Sequence, residues 1–373
     1  MKKTYKFILA SAIAMFGFTA CSDWTDTEIK DSADLVNANK TAEYYQALRD
    51  YKASDHQVSF GWFGNWTGTG VSLENSMRGL PDSVDFVSMW GGWRNPSAEM
   101  LQDLRLVQNQ KGTKALMCFL VFDIGDQLTP EIPADKVAAG MTYKQWRHEF
   151  WGWGKDEASQ LAATEKFANA ICDTIDKYAY DGFDIDAEPS YAQPFETDRE
   201  LWKNPKVMKT FVETRAKRIG PKSGTGRMLV VDGEPDAFAP EYAEYFDYFI
   251  LQAYYASGNS NLNQRYARQV NHFKDYLTPE QVAKKIIVCE NFEDLAKTGG
   301  TSFYMDNGDV VPSLLGFAHW APEYNGETYK KGGVGTFHME YEYVIPGADS
   351  PYPFMRQAIQ IMNPAKAPAT DKK

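Results

Sequence analysis

Asp184, Asp186 and Glu188 stand at every second position in the run Tyr178-Ala179-Tyr180-Asp181-Gly182-Phe183-Asp184-Ile185-Asp186-Ala187-Glu188-Pro189. Side chains alternate across a β-strand, so the three acids share one side and Phe183, Ile185 and Ala187 the other. The apolar side suits a layer of packing helices, which turns the acids inward. Same-face residues lie roughly 6–7 Å apart along a strand, so Asp186 can reach either neighbour. Carboxylates in such a row repel, and at least one proton is held above its usual pKa. A general acid is kept protonated near neutral pH in this way. A divalent-cation site or an acidic strand end in solvent would also use such acids, but the clean apolar alternation favours an enclosed acid.

Other stretches must place that strand. Apolar runs separated by amphipathic stretches give the strand–helix alternation of a parallel α/β fold. Strands are predicted at Gln57–Gly64, Asp85–Gly91, Lys114–Phe122, Gly182–Glu188, Met228–Gly233, Tyr248–Tyr254 and Lys285–Glu290. Helices are predicted at Thr41–Tyr51, which would cross the bottom of the sheet, and at Glu99–Gln110, Glu157–Tyr178, Pro205–Ile219 and Asn263–Tyr276. The last strand has two candidates, Leu314–Trp320 and Val334–Tyr341. The second is preferred, because Gly332-Gly333 precedes it and Tyr352–Met362 can form a closing helix.

Several strand ends carry aromatic and acidic residues beside glycines. These are Trp62 after the first strand, Trp90 after the second, Asp123 after the third and Glu234 after the fifth. Asn291 follows the seventh strand, and Glu340 sits in the preferred eighth. The chain holds 10 Trp and 21 Tyr, more than a core requires, and aromatic faces are what sugar rings stack on. The sixth run ends Gln252-Ala253-Tyr254-Tyr255.

The pattern Asp181-Gly182-x-Asp184-x-Asp186-x-Glu188 resembles the signature strand of glycoside hydrolase family 18, the chitinases and endo-β-N-acetylglucosaminidases. Gln252-x-Tyr254 is similar to that family's sixth-strand motif. The resemblance implies a single-domain α/β chain folded as a (β/α)8 TIM barrel. It implies Glu188 as the acid, Asp186 as its partner at the substrate acetamido group, and Asp184 as the holder of a proton. It also implies Tyr254 as a donor to the acetamido oxygen, with Gln252 seating that group. The third strand lacks the family's Ser-x-Gly-Gly element, ending Phe119-Leu120-Val121-Phe122-Asp123. Only about 40 residues separate strands seven and eight, too few for a chitinase-type insertion. Both departures favour the endo-β-N-acetylglucosaminidase branch, acting on the chitobiose core of N-glycans with retention. A chitinase and a non-catalytic surface glycan-binding lipoprotein are the alternatives.

Residues 1–20, with Lys2, Lys3 and Lys6 before an apolar run, read as a lipoprotein signal peptide. Phe18-Thr19-Ala20-Cys21 resembles a lipobox, making Cys21 the lipidated residue. The expected organisation is a tether and helix at 21–50, the barrel at 51–365 and a polar tail at 366–373. The expected location is the outer membrane, exposed at the cell surface. A net charge of −11 argues against nucleic acid as a partner. N-glycans of glycoproteins and a monomeric state are expected instead. Cys118, Cys172 and Cys289 show no metal-ligand spacing and read as buried small residues. No cofactor and no metal are expected.

Overall fold

The computed structural model describes residues 40–364. The predicted signal peptide, Cys21, the tether before residue 40 and the polar tail lie outside the described residues. Eight parallel strands close into a barrel: β1 Val58–Phe63, β2 Phe86–Met89, β3 Lys114–Leu120, β4 Gly182–Ala187, β5 Met228–Gly233, β6 Phe249–Gln252, β7 Ile286–Asn291 and β8 Gly333–Phe337. Each pairs with its sequence neighbour, and β8 closes on β1. The eighth strand is therefore the preferred candidate, shortened to Phe337. The rival run is the helix Ser313–His319.

Alternation along the strands builds two apolar layers. Phe183, Ile185 and Ala187 face outward, fully buried against the helices. Each large side chain buried there contributes about 1.5–3 kcal/mol. Phe60, Trp62, Phe86, Leu116, Cys118, Val230, Ile250, Ile287 and Cys289 fill the inside of the barrel. Cys118, Cys172 and Cys289 are free and buried.

Capping side chains mark the starts of the first four helices named here. Asp156 accepts from Ser159 N at 2.9 Å ahead of α3 Glu157–Tyr178, once α1 Ala42–Lys52 and α2 Ala98–Leu106 have been laid down. After α2 the chain widens into a π turn at Val107–Lys111 instead of continuing as regular helix. Then come α4 Pro205–Ala216, α5 Asn259–Phe273, which starts four residues earlier than expected, and the closing α7 Pro353–Met362, with α6 being Ser313–His319. Helix α1 does cross the strand N-termini: Lys52 Nζ donates to Val84 O at 2.6 Å and Thr113 Oγ1 at 2.8 Å. Burial there lowers its pKa to about 7. Two small antiparallel hairpins, Ser302–Tyr304 with Val310–Pro312 and Glu323–Tyr324 with Glu327–Thr328, lie between β7 and β8.

The backbone at the head of β4 is packed without slack. Gly182 has φ +153°, and a Cβ there would sit 2.0 Å from Met228 O. Gly182→Ala is expected to destabilise the chain by at least about 2 kcal/mol. Because β4 would shift to relieve the clash, hydrolytic activity is expected to fall with stability; urea melts read alongside activity check both.

Candidate active site

β4 delivers Asp184 and Asp186 into the barrel mouth and Glu188 one residue past its end. Asp184 is fully buried and Asp186 is 4% exposed. Ser88 Oγ on β2 donates to Asp184 Oδ2 at 2.6 Å, the Cys118 sulfur lies within 4.8 Å, and Asp184 Oδ1 is buried without a hydrogen bond. Register pairs Asp186 with Asp232 on β5, and Asp232 is fully buried. Gln252 on β6 donates Nε2 to Asp232 Oδ1 at 2.9 Å and also bonds to Glu188.

These acids crowd one another without a cation between them. Burial, offset by its donors, pushes the Asp184 carboxyl up to about 6. Burial, followed by the Glu188 and Asp184 charges, raises Asp186 well above the ordinary carboxylate range. Glu188 is half-buried; burial raises its pKa, the Gln252 bond opposes this and the Glu234 charge adds to it. Tyr254 is raised by burial and by the acids facing it, which keeps its hydroxyl protonated as a donor. The arrangement pushes Glu188 toward keeping its proton, the direction a general acid requires.

Gly233 makes room for Glu188. It has φ +80°, and a Cβ there would lie 2.6 Å from Ala187 O and 3.0 Å from Glu188 Cγ. Beyond it Glu234 accepts from Ser190 N at 3.1 Å, tying down the turn that follows Glu188. Glu234 is therefore a close neighbour of the acid, whereas a sugar ligand was expected. Phe337, at the end of β8, is the aromatic hub of the mouth. Its ring meets Trp62 at 6.0 Å, Trp90 at 5.7 Å and Tyr254 at 6.2 Å.

Four expected ligand residues serve the scaffold instead. Trp62 is 2% exposed and points its indole at Asp184, so it is no open platform. Asp123 is 2% exposed; it accepts from Glu200 N at 3.0 Å and Asp198 N at 3.2 Å, and pairs with Arg147 at 3.2 Å. Asn291 caps the short helix Phe292–Leu295 by accepting from Glu293 N at 2.9 Å. Glu340 lies in a 3-10 turn after β8, 1% exposed, accepting from Gly64 N at 2.9 Å and meeting His338 Nδ1 at 2.8 Å.

Residues that sequence reasoning passed over now join the site. Asp232 and Ser88 face inward at strand positions that match the alternation, so the signal was present. Tyr255 was quoted but given no role. It has φ +60° and is 51% exposed, with its N–H bound to Glu290 Oε1 at 2.9 Å. Its hydroxyl meets Asp294 Oδ2 and Asn291 Nδ2, each at 3.2 Å.

Among the described residues, two groups have spacing that could suit a cation. One is Cys118 with Asp184 and Asp232; the other is Asp123 with Asp198 and Glu200. In the first, Ser88 and Gln252 already supply donors to the two acids. In the second, the Arg147 guanidinium stands between Asp123 and Glu200, 3.2 Å from each.

The buried acids link stability to pH. Below the ordinary Asp pKa of 3.8, Asp186 is protonated folded or unfolded, and its burial is not penalised on this account. As pH rises the unfolded chain ionises first, so stability falls toward the raised folded pKa. Asp186→Asn is therefore expected to gain stability over wild type, from near zero at about pH 4 to more than about 1 kcal/mol at about pH 8. Urea midpoints at the two pH values check it; a variant less stable at both would contradict the linkage.

The comparisons agree with this geometry. The family model "Glycoside hydrolase family 18, BT1044-like" matches residues 23–361. The chain is 25% identical over 393 residues to Endo-beta-N-acetylglucosaminidase F2 of Elizabethkingia meningoseptica, covering 96% of this chain and 98% of that protein. A solved structure of selenomethionine BT1044 with a glutamate-to-glutamine change is 34% identical with TM-score 0.72, covering 90% of this chain and 97% of that one. The fold is also that of an endo-beta-N-acetylglucosaminidase from Cordyceps militaris in apo form, with TM-score 0.58, 23% identity and coverage of 90% and 100%. The chain belongs to glycoside hydrolase family 18, in its BT1044-like group, and is a glycoside hydrolase.

Proposed function

We propose that this chain is an endo-β-N-acetylglucosaminidase that cuts the GlcNAc-β-1,4-GlcNAc chitobiose core of N-glycans with retention of configuration. The observation that carries the reading is the placement of the acids on the neighbouring strands β4 and β5, with Gln252 and Tyr254 beside them at β6. Retaining glycosidases of the commoner kind place a second carboxylate about 5 Å away, across the scissile bond, as nucleophile. Here the acids enter from one side. Family 18 is a group in which the substrate supplies the nucleophile. The 2-acetamido oxygen attacks C1 as Glu188 protonates the leaving oxygen. An oxazolinium ion forms, and Glu188 then takes a proton from the water that attacks C1. The Asp186 carboxyl faces the acetamido N–H and accepts from it, while the Tyr254 hydroxyl donates to the acetamido oxygen. Tyr255 offers an exposed ring at the mouth for a neighbouring sugar. The name of the F2 relative supports the substrate class.

Mass spectrometry of high-mannose and complex N-glycoproteins, incubated with residues 22–373, tests the reading. Wild type is expected to release glycan and leave one N-acetylglucosamine on Asn, while Glu188→Gln loses at least about 10³-fold in rate. Tyr255→Ala is expected to raise KM several-fold with kcat little changed. Release from a substrate that lacks the acetamido group, or turnover of chitin oligomers only, would overturn it.

We also propose that the protein is an outer-membrane lipoprotein lipidated at Cys21 and displayed at the cell surface, a reading supported by the leader sequence alone. Recovery of full-length protein in the membrane fraction, lost in Cys21→Ala, is the expected outcome.

A further inference from the structure

Glu188 sits one residue past β4, and the backbone around it is held by residues from elsewhere in the chain. From the end of β5, Glu234 N donates to Ala187 O at 2.8 Å, and the Glu234 carboxylate accepts from Ser190 N at 3.1 Å. Tyr191 N closes a turn onto Glu188 O at 3.0 Å. Pro189, directly after the acid, has no N–H, so only its carbonyl can be held by a hydrogen bond. Arg199 supplies such a bond: its Nη1 donates to Pro189 O at 3.2 Å, from the far end of the loop.

Arg199 reaches back because its own backbone is turned. Its φ is +53°, left-handed, a conformation that costs a non-glycine residue free energy and persists only where the surroundings over-determine it. Here they do. One buried carboxylate, Asp123, takes the N–H groups on either side: Glu200 N donates to its Oδ1 at 3.0 Å and Asp198 N to its Oδ2 at 3.2 Å. Arg199 N itself donates to Thr197 Oγ1 at 2.9 Å. Arg147, from the helix Tyr143–Trp151, locks this clamp, with one nitrogen 3.2 Å from Asp123 Oδ2 and the other 3.2 Å from Glu200 Oε2. Leu201 N and the Trp202 indole then tie the chain to Phe122 O at 3.1 Å and Val121 O at 2.7 Å. A loop that only had to be closed could use an ordinary turn at this point. Within residues 188–200 the left-handed position falls instead on the residue whose side chain returns to the acid.

We propose that Arg199 is a positioning residue for Glu188. Aimed by the Asp123 clamp, its guanidinium fixes Pro189, and with it the place of the Glu188 carboxyl when that group protonates the leaving oxygen. Glu234 holds the turn from β5 and Arg199 holds it from the end of the loop, so the acid is steadied on two sides. Asp123 thus acts on catalysis through Arg199, without touching the sugar. The role rests on Glu188 being the acid, as in the reading above, and not on which glycan is cut.

Kinetics on a fluorescently labelled asparagine-linked oligomannose glycan, read with amide hydrogen exchange of the same proteins, test this role. Arg199→Ala and Arg199→Gly are each expected to lose at least about 10-fold in kcat with KM within about 2-fold of wild type, since a misplacement of about 1 Å can cost about 10²-fold in rate. Arg199→Lys, which keeps a cationic donor, is expected to recover most of the loss. Glycine relieves the left-handed strain, so wild-type kcat in Arg199→Gly would mean that the backbone alone matters, and overturns the proposal. So does wild-type kcat in Arg199→Ala, or a rise in KM alone, which would make Arg199 a sugar contact. Asp123→Asn combined with Arg199→Ala is expected to lose no more kcat than Arg199→Ala alone, because both act through one bond. Additive losses overturn the link to Asp123. Exchange at the Ser190 and Tyr191 amides is expected to rise at least about 5-fold in Arg199→Ala and to stay near wild type in Arg199→Lys. Unchanged exchange in Arg199→Ala overturns the proposal without any substrate. Thermal melts establish that each variant is folded. A wild type inactive on this glycan sinks the substrate reading; chitin oligomers then serve the kinetic arm, and the exchange result stands.

Discussion

Four carboxyl groups meet at the mouth of β4 and β5, and no cation acts among the three that are fully enclosed. Removing an ionised carboxylate from water costs several kcal/mol even after the protein relaxes. The cost falls if the groups share protons and take hydrogen bonds, and the surrounding strands are arranged to allow both. Ser88 comes from β2, Trp62 from β1, Cys118 from β3 and Gln252 from β6, each at an inward-facing position. Register across β4 and β5 then brings Asp186 opposite Asp232. The outer apolar layer has to be stable enough to carry this load.

A second acid cluster shows what the first would look like if it were only structural. Asp123, Asp126 and Glu200 surround Arg147, and His148 lies 2.6 Å from Glu200. The guanidinium pairs closely with Asp123 and Glu200, burial raises Asp126 to about 7, and the Asp123 oxygens accept backbone N–H groups of the loop that follows Glu188. The loop is thus pinned at Asp198 and Glu200, while Glu234 pins it at Ser190. One cluster braces and carries a built-in counter-charge. The other lacks one, so its members must keep protons, and kept protons are what acid catalysis draws on.

The period-two pattern of β4 was legible because strand geometry is local, and so was α3, whose ends coincide with its caps. The eighth strand was also readable, from its glycines and the helix that follows it. Asp123 and Glu340 were misread as ligands for a physical reason. An acid at a strand end has the same sequence signature whether it faces a sugar or the N–H groups of a neighbouring loop. Asp232 was passed over for Glu234: the alternation of its strand turns it inward, but its place opposite Asp186 is set by register between strands. The two hairpins between β7 and β8 were invisible, since strands of two or three residues leave no periodicity to detect.

Glu340 and two further buried glutamates, Glu290 and Glu342, brace the rim. Asn65, Tyr255, His338 and Tyr352 all adopt left-handed backbone, with φ between +49° and +60°, a conformation that costs a non-glycine residue of order 1–3 kcal/mol. Three of them are held directly by a buried glutamate. Glu290 takes the N–H of Tyr255 and is itself fixed by Ser313 Oγ at 2.5 Å. Glu340 binds His338 and meets the Asn65 amide at 3.4 Å. Glu342 holds the start of α7 just after Tyr352, accepting from Met355 N at 3.0 Å. Strained turns at the ends of β1, β6 and β8 are thereby fixed in single conformations. An exposed ring such as Tyr255 is thereby presented beside Tyr254 with little conformational freedom left to lose.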